Sequence, residues 1–233
     1  AIKLSKREKQ KAKQNAKLKI ANKQKDEIIS AISHEFKNPI AIISGYTETI
    51  LNDEQMPQPM KIRFLKKIYS NANKMSHIVD KLRLTLKLEE GKQELILIPC
   101  SMKKLIITCI SDLKDKYKNR EILIQGDDIT LKVDETLISM AISNLIENAL
   151  KYSEDEIIVN ISDNSITIID KGIGIEEKEL EKINQKFYRI SNNGWNNSLG
   201  LGLFIVQSVL SLHNFTLKID SVFKNGSQFS INY

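Results

Sequence analysis

The sequence predicts an α+β chain in which a helical hairpin is followed by an α/β sandwich. Three observations predict it. Ile29, Ile32, Phe36, Pro39, Ile43, Tyr46 and Ile50 recur at alternating steps of three and four. Leu65, Ile68, Ala72, Met75, Val79, Leu82 and Leu86 repeat that period after a break, Asn52-Asp53-Glu54-Gln55-Met56-Pro57-Gln58-Pro59, that has the chemistry of a turn. From Gly91 onward the period changes, and short alternating runs interleave with short helical ones. The chain therefore divides into a linker over 1–27, a hairpin over 28–90 and a sandwich over 91–233.

Residues 1–27 carry ten Lys and Arg against Glu8, Asp26 and Glu27, a net +7 in a chain of +6, so the remainder nets −1. The basic character is an arm and not a property of the folded body, which argues against nucleic acid as a partner. A segment abutting the cytoplasmic face of a membrane and a solvated helical linker fit the arm equally. No run of eighteen apolar residues is present to span a membrane. The chain starts at Ala1 without an initiator Met and is expected to belong to something longer. Cys100 and Cys109 lie nine apart, which is neither metal-site nor redox-motif spacing. Two thiols in a chain of this size suit a reducing compartment, and both read as core residues.

Ile28, Ile40 and Ile42 widen the first helix's apolar face beyond a two-stranded seam, and one hairpin cannot bury two such faces. A homodimer closing a four-helix bundle is expected. Pro39 is expected to kink or loosen the first helix, and Gly45 to soften it. The second helix is expected to run to about Glu90. In the sandwich the pattern predicts strands at Glu94–Ile98, Glu121–Gln125, Thr130–Val133, Ile157–Ile161, Ser165–Asp170, Thr216–Val222 and Ser227–Asn232. It predicts helices from Pro99-Cys100-Ser101 to about Tyr117, from an Asp134 N-cap to about Tyr152, near Glu176–Asn184 and from about Leu199 to Leu212.

His34 follows Ile29 by five residues, roughly 140° round a helix, so it points away from the seam. Glu35 is adjacent, and Asn38 lies one turn on, about 6 Å along the axis. An outward imidazole with a carboxylate and an amide nearby is a candidate nucleophile with two helpers. Three further patterns sit downstream. Asn144, Asn148 and Lys151 form a polar stripe on an otherwise apolar helix that suits a phosphate chain and its Mg²⁺, because an amide oxygen is a hard ligand. Asp170-Lys171-Gly172-Ile173-Gly174 ends an apolar strand; its carboxylate suits an exocyclic amine such as that of adenine, and its glycines admit a flat ligand. Leu199-Gly200-Leu201-Gly202-Leu203 opens a helix whose N–H groups suit an anion. Each pattern alone is common, and the conjunction in this order is specific.

With these residues in place, the chain resembles the sensor histidine kinases of two-component signalling over about residues 26–233. Ser33-His34-Glu35-Phe36-Lys37-Asn38-Pro39 is similar to the family's H box, Asn144 to Asn148 to its N box, Asp170 to Gly174 to its G1 box, Gly200 to Gly202 to its G2 box, and Phe187-Tyr188-Arg189 to the end of its F box. The resemblance implies a dimerising, histidine-bearing hairpin followed by an ATP-binding sandwich of the GHKL type. It implies Mg²⁺ on Asn148, phosphates on Asn144 and Lys151, Tyr152 on the adenine face, Asp170 on the adenine amine and Arg189 near the terminal phosphate. Gly172, Gly174, Gly200, Leu201 and Gly202 complete the implied ATP site. The implied reaction is ATP-dependent phosphorylation of His34, with Glu35 fixing the tautomer, then transfer to an aspartate on a response regulator. Asn38 is implied to orient a water that dephosphorylates that aspartate. The implied setting is the cytoplasmic portion of a bacterial inner-membrane protein whose sensor lies upstream.

The chain departs from the family pattern at Asn184, where a Phe is usual, at Lys186, where an Arg is usual, at Asn197-Ser198, where glycines are usual, and at His213-Asn214-Phe215 in place of His-Gly-Gly. Ser191 to Ser198, with Trp195, is expected to be an ATP lid. Two rival readings are a nucleotide-driven clamp of the gyrase or chaperone kind, with the hairpin only a dimeriser, and a scaffold with a decayed site. The outward His34 argues against the first, and Asn148 and Asp170 against the second. His77 and His213 lack an adjacent carboxylate and read as structural.

Overall fold

The computed structural model describes residues 29–30, 32–91, 93–114, 116–190 and 199–233. The basic arm and the expected lid at 191–198 lie outside them. The chain divides into two compact units, Ala1–Lys81 with Gly194–Leu199, and Leu82–Asn193 with Gly200–Tyr233.

In the first unit, α1 covers 29–52 apart from residue 31, and α2 spans Gln58–Glu89, continuing into the second unit. The α1 helix runs through Pro39 without a break in its assignment. The turn between the helices is short; Met60 and Lys61 donate their N–H groups to Pro57 O at 2.9 and 3.0 Å, which starts α2. Pro59 sits in that first turn, where a missing N–H costs nothing. The Tyr46 and Phe64 rings, 4.8 Å apart, pin one helix against the other. The expected α2 seam divides in two. Ile68, Met75 and Leu82 are half-buried and Ile78 is buried, whereas Leu65, Val79 and Leu86 are 50%, 50% and 59% exposed, with Ala72 also exposed. A two-helix hairpin covers only one flank of each helix, so the other half of the seam stays bare.

The second unit is a sandwich. Its sheet has the order β2-β4-β5-β7-β6, built from β2 (Ile122–Gln125), β4 (Ile157–Ile161), β5 (Ser165–Asp170), β6 (Thr216–Val222) and β7 (Gly226–Asn232). Only β2 and β4 run parallel. A separate ribbon pairs β1 (Ile98–Ser101) with β3 (Thr130–Val133), antiparallel. The helical layer is α3 (Met102–Lys114), α4 (Glu135–Tyr152) and α6 (Gly202–Leu212), and a single turn, α5 (Glu177–Leu180), precedes the 191–198 segment. The alternation of strand β4 puts Ile157, Val159 and Ile161 inside, in the core that also holds Ile142, Ile146, Ile205 and Val209 of the helices. Each such side chain contributes about 1.5–3 kcal/mol by leaving water.

Three boundaries differ clearly from the sequence reading, each for a local reason. The first strand is Ile98–Ser101 and not Glu94–Ile98, because its ladder is with β3, from Ile98↔Val133 to Ser101↔Thr130; Pro99 is tolerated on so short a ribbon. Ser101 then caps α3, its Oγ accepting from Lys104 N–H at 3.2 Å. The helix expected near Glu176–Asn184 is only Glu177–Leu180, followed by turns. The last helix starts at Gly202 and not Leu199, because Gly200 is at φ +67°, outside the helical region. Asn214, in place of a family glycine, adopts φ +59°, a conformation Asn enters more readily than most residues.

Two polar joints fix α4. Asp134 is its N-cap as expected, with Oδ1 accepting from Leu137 N–H at 3.1 Å and Oδ2 from Ile96 N–H at 3.1 Å. The N–H of Asp134 donates to His213 Nε2 at 3.0 Å, and His213 Nδ1 lies 2.7 Å from Val209 O, so the ring is a neutral Nδ1–H tautomer with both nitrogens used. That bears out a structural role for His213. At the other end the Arg120 guanidinium donates to Leu150 O at 3.0 Å and Asp155 O at 2.9 Å. Arg120→Ala removes two charge-assisted bonds from the carboxyl end of α4 and is expected to cost about 1–3 kcal/mol, read as a lower midpoint in urea unfolding.

Candidate active site

The candidate nucleophile and the candidate nucleotide site are in different units. On α1, His34 is exposed, as its place off the seam requires. Glu35, one residue on, is 3% exposed, and its Oε1 has no hydrogen-bond partner. The expected bond between Glu35 and the imidazole is not among those the described residues make. Neighbours in a helix diverge by roughly 100°, so the carboxylate turns inward as the ring turns outward. Asn38 is half-buried, one turn further on.

The nucleotide residues converge at one end of the sandwich, where α4 ends, β5 ends and α6 begins. Asp170 closes β5 and is 5% exposed. Its Oδ1 accepts from Gly172 N–H at 2.8 Å, and the Ser227 N–H also donates to its carboxylate. Burial raises the Asp170 carboxyl above its ordinary value, and the two N–H donors pull it part of the way back. A desolvated acceptor with no cation bonded to it is suited to a neutral amine donor.

Backbone contacts hold that acceptor in place. A Cβ on Gly172 would lie 2.1 Å from Tyr152 O, and one on Gly174 (φ +63°) 2.1 Å from Val222 O. Ile173 N–H donates to Tyr152 O at 3.2 Å, so the loop after β5 is bolted to the end of α4. This places Tyr152, 39% exposed, beside the Asp170 loop. The phenol is raised by burial, and Arg189 lies close enough for its charge to oppose that rise. Lys151 Nζ is 5.7 Å from the same ring. Lys151, Tyr152 and Arg189 therefore form one group, although Arg189 is far from the others in sequence.

Asn148 is half-exposed on α4, and its side chain makes no hydrogen bond to another described residue. One amide oxygen together with substrate phosphates is a donor set that Mg²⁺ accepts. Among the described residues no group of His, Cys, Asp and Glu could hold a metal by itself. Asn144 departs from the sequence reading of an open phosphate ligand. It is 7% exposed, its Nδ2 donates to Met140 O at 2.8 Å, and its Oδ1 is the atom nearest a Cβ built on Gly202. It packs where α6 approaches α4, and a Cβ at 202 would meet its Oδ1 at an ordinary van der Waals distance, 3.5 Å.

Leu201 precedes α6 with no side-chain cap, so the first N–H groups of that helix have no side chain closing them. The F-box and G2-box segments meet at their backbones: Phe187 N–H donates to Gly200 O at 2.9 Å, and a Cβ on Gly200 would lie 2.7 Å from Tyr188 O. Phe187 itself is at φ +63°.

Three features here were beyond the sequence reading. Lys186 pairs with Glu89 in the last turn of α2, and its Nζ sits 4.6 Å from the centre of the Phe204 ring; the partners are about a hundred residues apart and carry no local pattern. Ser221 bonds the loop after β5, as described below. Asn184, in place of the family's Phe, leaves its Oδ1 buried without a partner. Asn184→Leu is near-isosteric and removes that orphan acceptor. It is expected to raise stability by about 1 kcal/mol, seen as a higher melting temperature.

Comparison with known proteins agrees with this geometry. Residues 24–91 match the family described as the His Kinase A (phospho-acceptor) domain, and residues 133–233 match the family described as the histidine kinase-, DNA gyrase B-, and HSP90-like ATPase. The chain is 31% identical over 218 residues to the phosphate regulon sensor protein PhoR of Pseudomonas aeruginosa, covering 89% of this chain and 49% of that one. It is 27% identical over 217 residues to the sensor-like histidine kinase SenX3 of Mycolicibacterium smegmatis, covering 88% and 56%. The chain thus spans about half the length of these curated relatives. In fold it is similar to the Acinetobacter baumannii histidine kinase AdeS, with a TM-score of 0.65 at 20% identity, covering 85% of this chain and 95% of that one. A phosphoacceptor hairpin followed by this ATPase sandwich, with relatives matched across both parts, means that the chain belongs to the sensor histidine kinases of two-component systems.

Proposed function

We propose that this chain binds ATP in the sandwich, transfers the γ-phosphoryl group to His34, and passes it on to an aspartate in the receiver domain of a response regulator. The observation that carries the reading is the exposed imidazole of His34 within the stretch matched as a phosphoacceptor domain, on a chain whose other unit presents a desolvated Asp170 beside Tyr152, Lys151 and Arg189. Support for a regulator partner comes from the histidine kinase ThkA, solved in complex with the response regulator protein TrrA, which shares this fold with a TM-score of 0.59.

In this mechanism the unprotonated nitrogen of His34 attacks the γ-phosphorus in line, the bond to the β-bridging oxygen breaks, and ADP departs with the electron pair. Catalysis is mainly positioning and neutralisation of charge. Asp170 accepts from the adenine amine, Tyr152 lines the ring, and Lys151 and Arg189 face the phosphates. Asn148 would hold Mg²⁺, which would supply neutralisation of the triphosphate charge. The unpartnered Oε1 of Glu35 is an acceptor for the ring N–H of His34 once the ring turns toward it, which leaves the other nitrogen free. The chain acts as a homodimer: Leu65, Ala72, Val79 and Leu86 form a bare stripe at a seven-residue period, and a second copy covers it. The upstream sensor of a bacterial inner-membrane protein lies outside this chain; among the described residues no helix is long and apolar enough to cross a membrane.

Incubation with γ-labelled ATP and Mg²⁺ tests the reading. The expected product is a protein-bound label that is labile in acid and stable in alkali. Hydrolysis of ATP with no labelled protein favours a clamp instead. Asn38 is assigned the second activity, orienting the water that dephosphorylates the regulator. Asn38→Ala is expected to slow that dephosphorylation by about 10-fold to 100-fold with autophosphorylation retained; an unchanged rate removes Asn38 from this role.

A further inference from the structure

We infer that Ser221, outside every motif of the family pattern, is the positioning residue that holds the adenine end of the nucleotide site. The inference rests on the reading of Asp170 and its loop as the adenine site.

Ser221 lies on β6 at the edge of the sheet, and its hydroxyl sits at a junction of three chain segments. It accepts from Ile175 N–H at 2.9 Å, lies 3.0 Å from Gly226 O, and lies 3.0 Å from Ser227 Oγ. A hydroxyl has one proton and two lone pairs. Gly226 O can only accept, so the Ser221 proton goes there. Both lone pairs then receive donors, from Ile175 N–H and from the Ser227 hydroxyl. All three contacts are met at once by one arrangement of protons.

Each partner bears on Asp170. Ile175 ends the loop that carries Gly172 and Gly174, which is also tied in this direction, among the described residues, by Lys224 N–H to Ile173 O at 2.7 Å. Gly226, at φ +95°, packs so closely on the end of β5 that a Cβ would lie 2.0 Å from Asp170 O. Ser227 pairs with Asp170 across the ladder and gives its N–H to the carboxylate. Ser221 therefore fixes the far side of the Asp170 loop, opposite Tyr152, and also the strand that hydrogen-bonds Asp170. Without the hydroxyl, Ile175 N–H and Gly226 O lose their partner, and the loop is held chiefly from the α4 side. Nucleotide binding weakens because the acceptor and the flat slot beside it lose their register. The phosphate end, on α4 and α6, is untouched.

The test compares Ser221→Ala, Ser221→Thr and Thr167→Val for autophosphorylation kinetics, ATP affinity and melting temperature. Thr167 is a control in the same sheet: its Oγ1 donates to Ser230 Oγ at 3.2 Å, buried, and touches no part of the loop. Ser221→Ala is expected to raise KM for ATP about tenfold with kcat at saturating ATP within twofold, and Ser221→Thr to restore KM. Thr167→Val is expected to lose melting temperature and leave KM alone. An unchanged KM in Ser221→Ala, or an equal rise in Thr167→Val, overturns the assignment. Asp170→Asn is run alongside: if it leaves ATP affinity intact, the adenine-site reading itself fails, which is a different result from Ser221→Ala alone being silent.

Discussion

With His34 replaced by Gln, incorporation of γ-label into the protein is expected to fall to background, a loss of about 10³ or more, while ATP affinity stays within twofold. The size follows from chemistry. The barrier to phosphoryl transfer is lowered by holding a nucleophile in line, and glutamine offers an amide nitrogen with no available lone pair, so there is no weaker version of the reaction to fall back on. The retained affinity follows from location. His34 belongs to the hairpin unit and the residues assigned to ATP to the sandwich unit, so the substitution alters none of those residues. The side chain is exposed, so little stability is at stake. His213→Gln is the contrasting substitution: that ring is buried and bonded through both nitrogens, and phosphorylation through His34 does not call on it. Label that survives in His34→Gln, at a stoichiometry near wild type, moves the nucleophile elsewhere and ends this reading.

Asp170→Asn is expected to weaken ATP binding roughly 30- to 150-fold, the effect of about 2–3 kcal/mol, measured by titration with a fluorescent ATP analogue. The carboxylate takes one N–H from Gly172 and one from Ser227 and retains lone pairs for an amine. Asparagine keeps one acceptor and turns the other into a donor. That donor meets either Ser227 N–H or the adenine amine, and both are donors themselves. One substitution therefore converts a favourable contact into a repulsive one inside a desolvated pocket. Competition by GTP sharpens the reading: the 6-oxo group of guanine is an acceptor, so the preference for ATP over GTP is expected to narrow in the variant. An unchanged preference detaches Asp170 from the base.

Much of this was legible in the sequence because the signals are local. The period of the two seams gave the hairpin, Asp134 announced α4, and the phase of His34 against Ile29 and Ile32 put the imidazole outside. The residues proposed for the nucleotide stand out in the sequence as a conjunction of short patterns. What was not legible depends on contacts between distant segments. The place of β1 is set by its register against β3, which alternation within residues 94–101 cannot show. Asn144 sits on the predicted polar stripe, yet the approach of α6 buries it; a helical wheel gives direction but not what arrives there. Glu35 is read as a partner of its neighbour, and its Oε1 is buried without a partner, so that bond depends on a turn of the imidazole that no local pattern shows.

The close backbone packing around Asp170 has a consequence for inhibition. Around the acceptor proposed for adenine, carbonyl oxygens lie within 2.1 Å of where side chains would begin at Gly172, Gly174 and Gly226. A side chain at any of the three displaces main chain, and with it the acceptor that ATP requires. A base-mimicking inhibitor seated on this stretch draws its shape complementarity from atoms that point mutation cannot alter without harming the protein. Escape is pushed to the exposed side chains beside this stretch, Tyr152 and Ile173 among them, so the most durable compounds are those that lean on the glycines and leave those two alone.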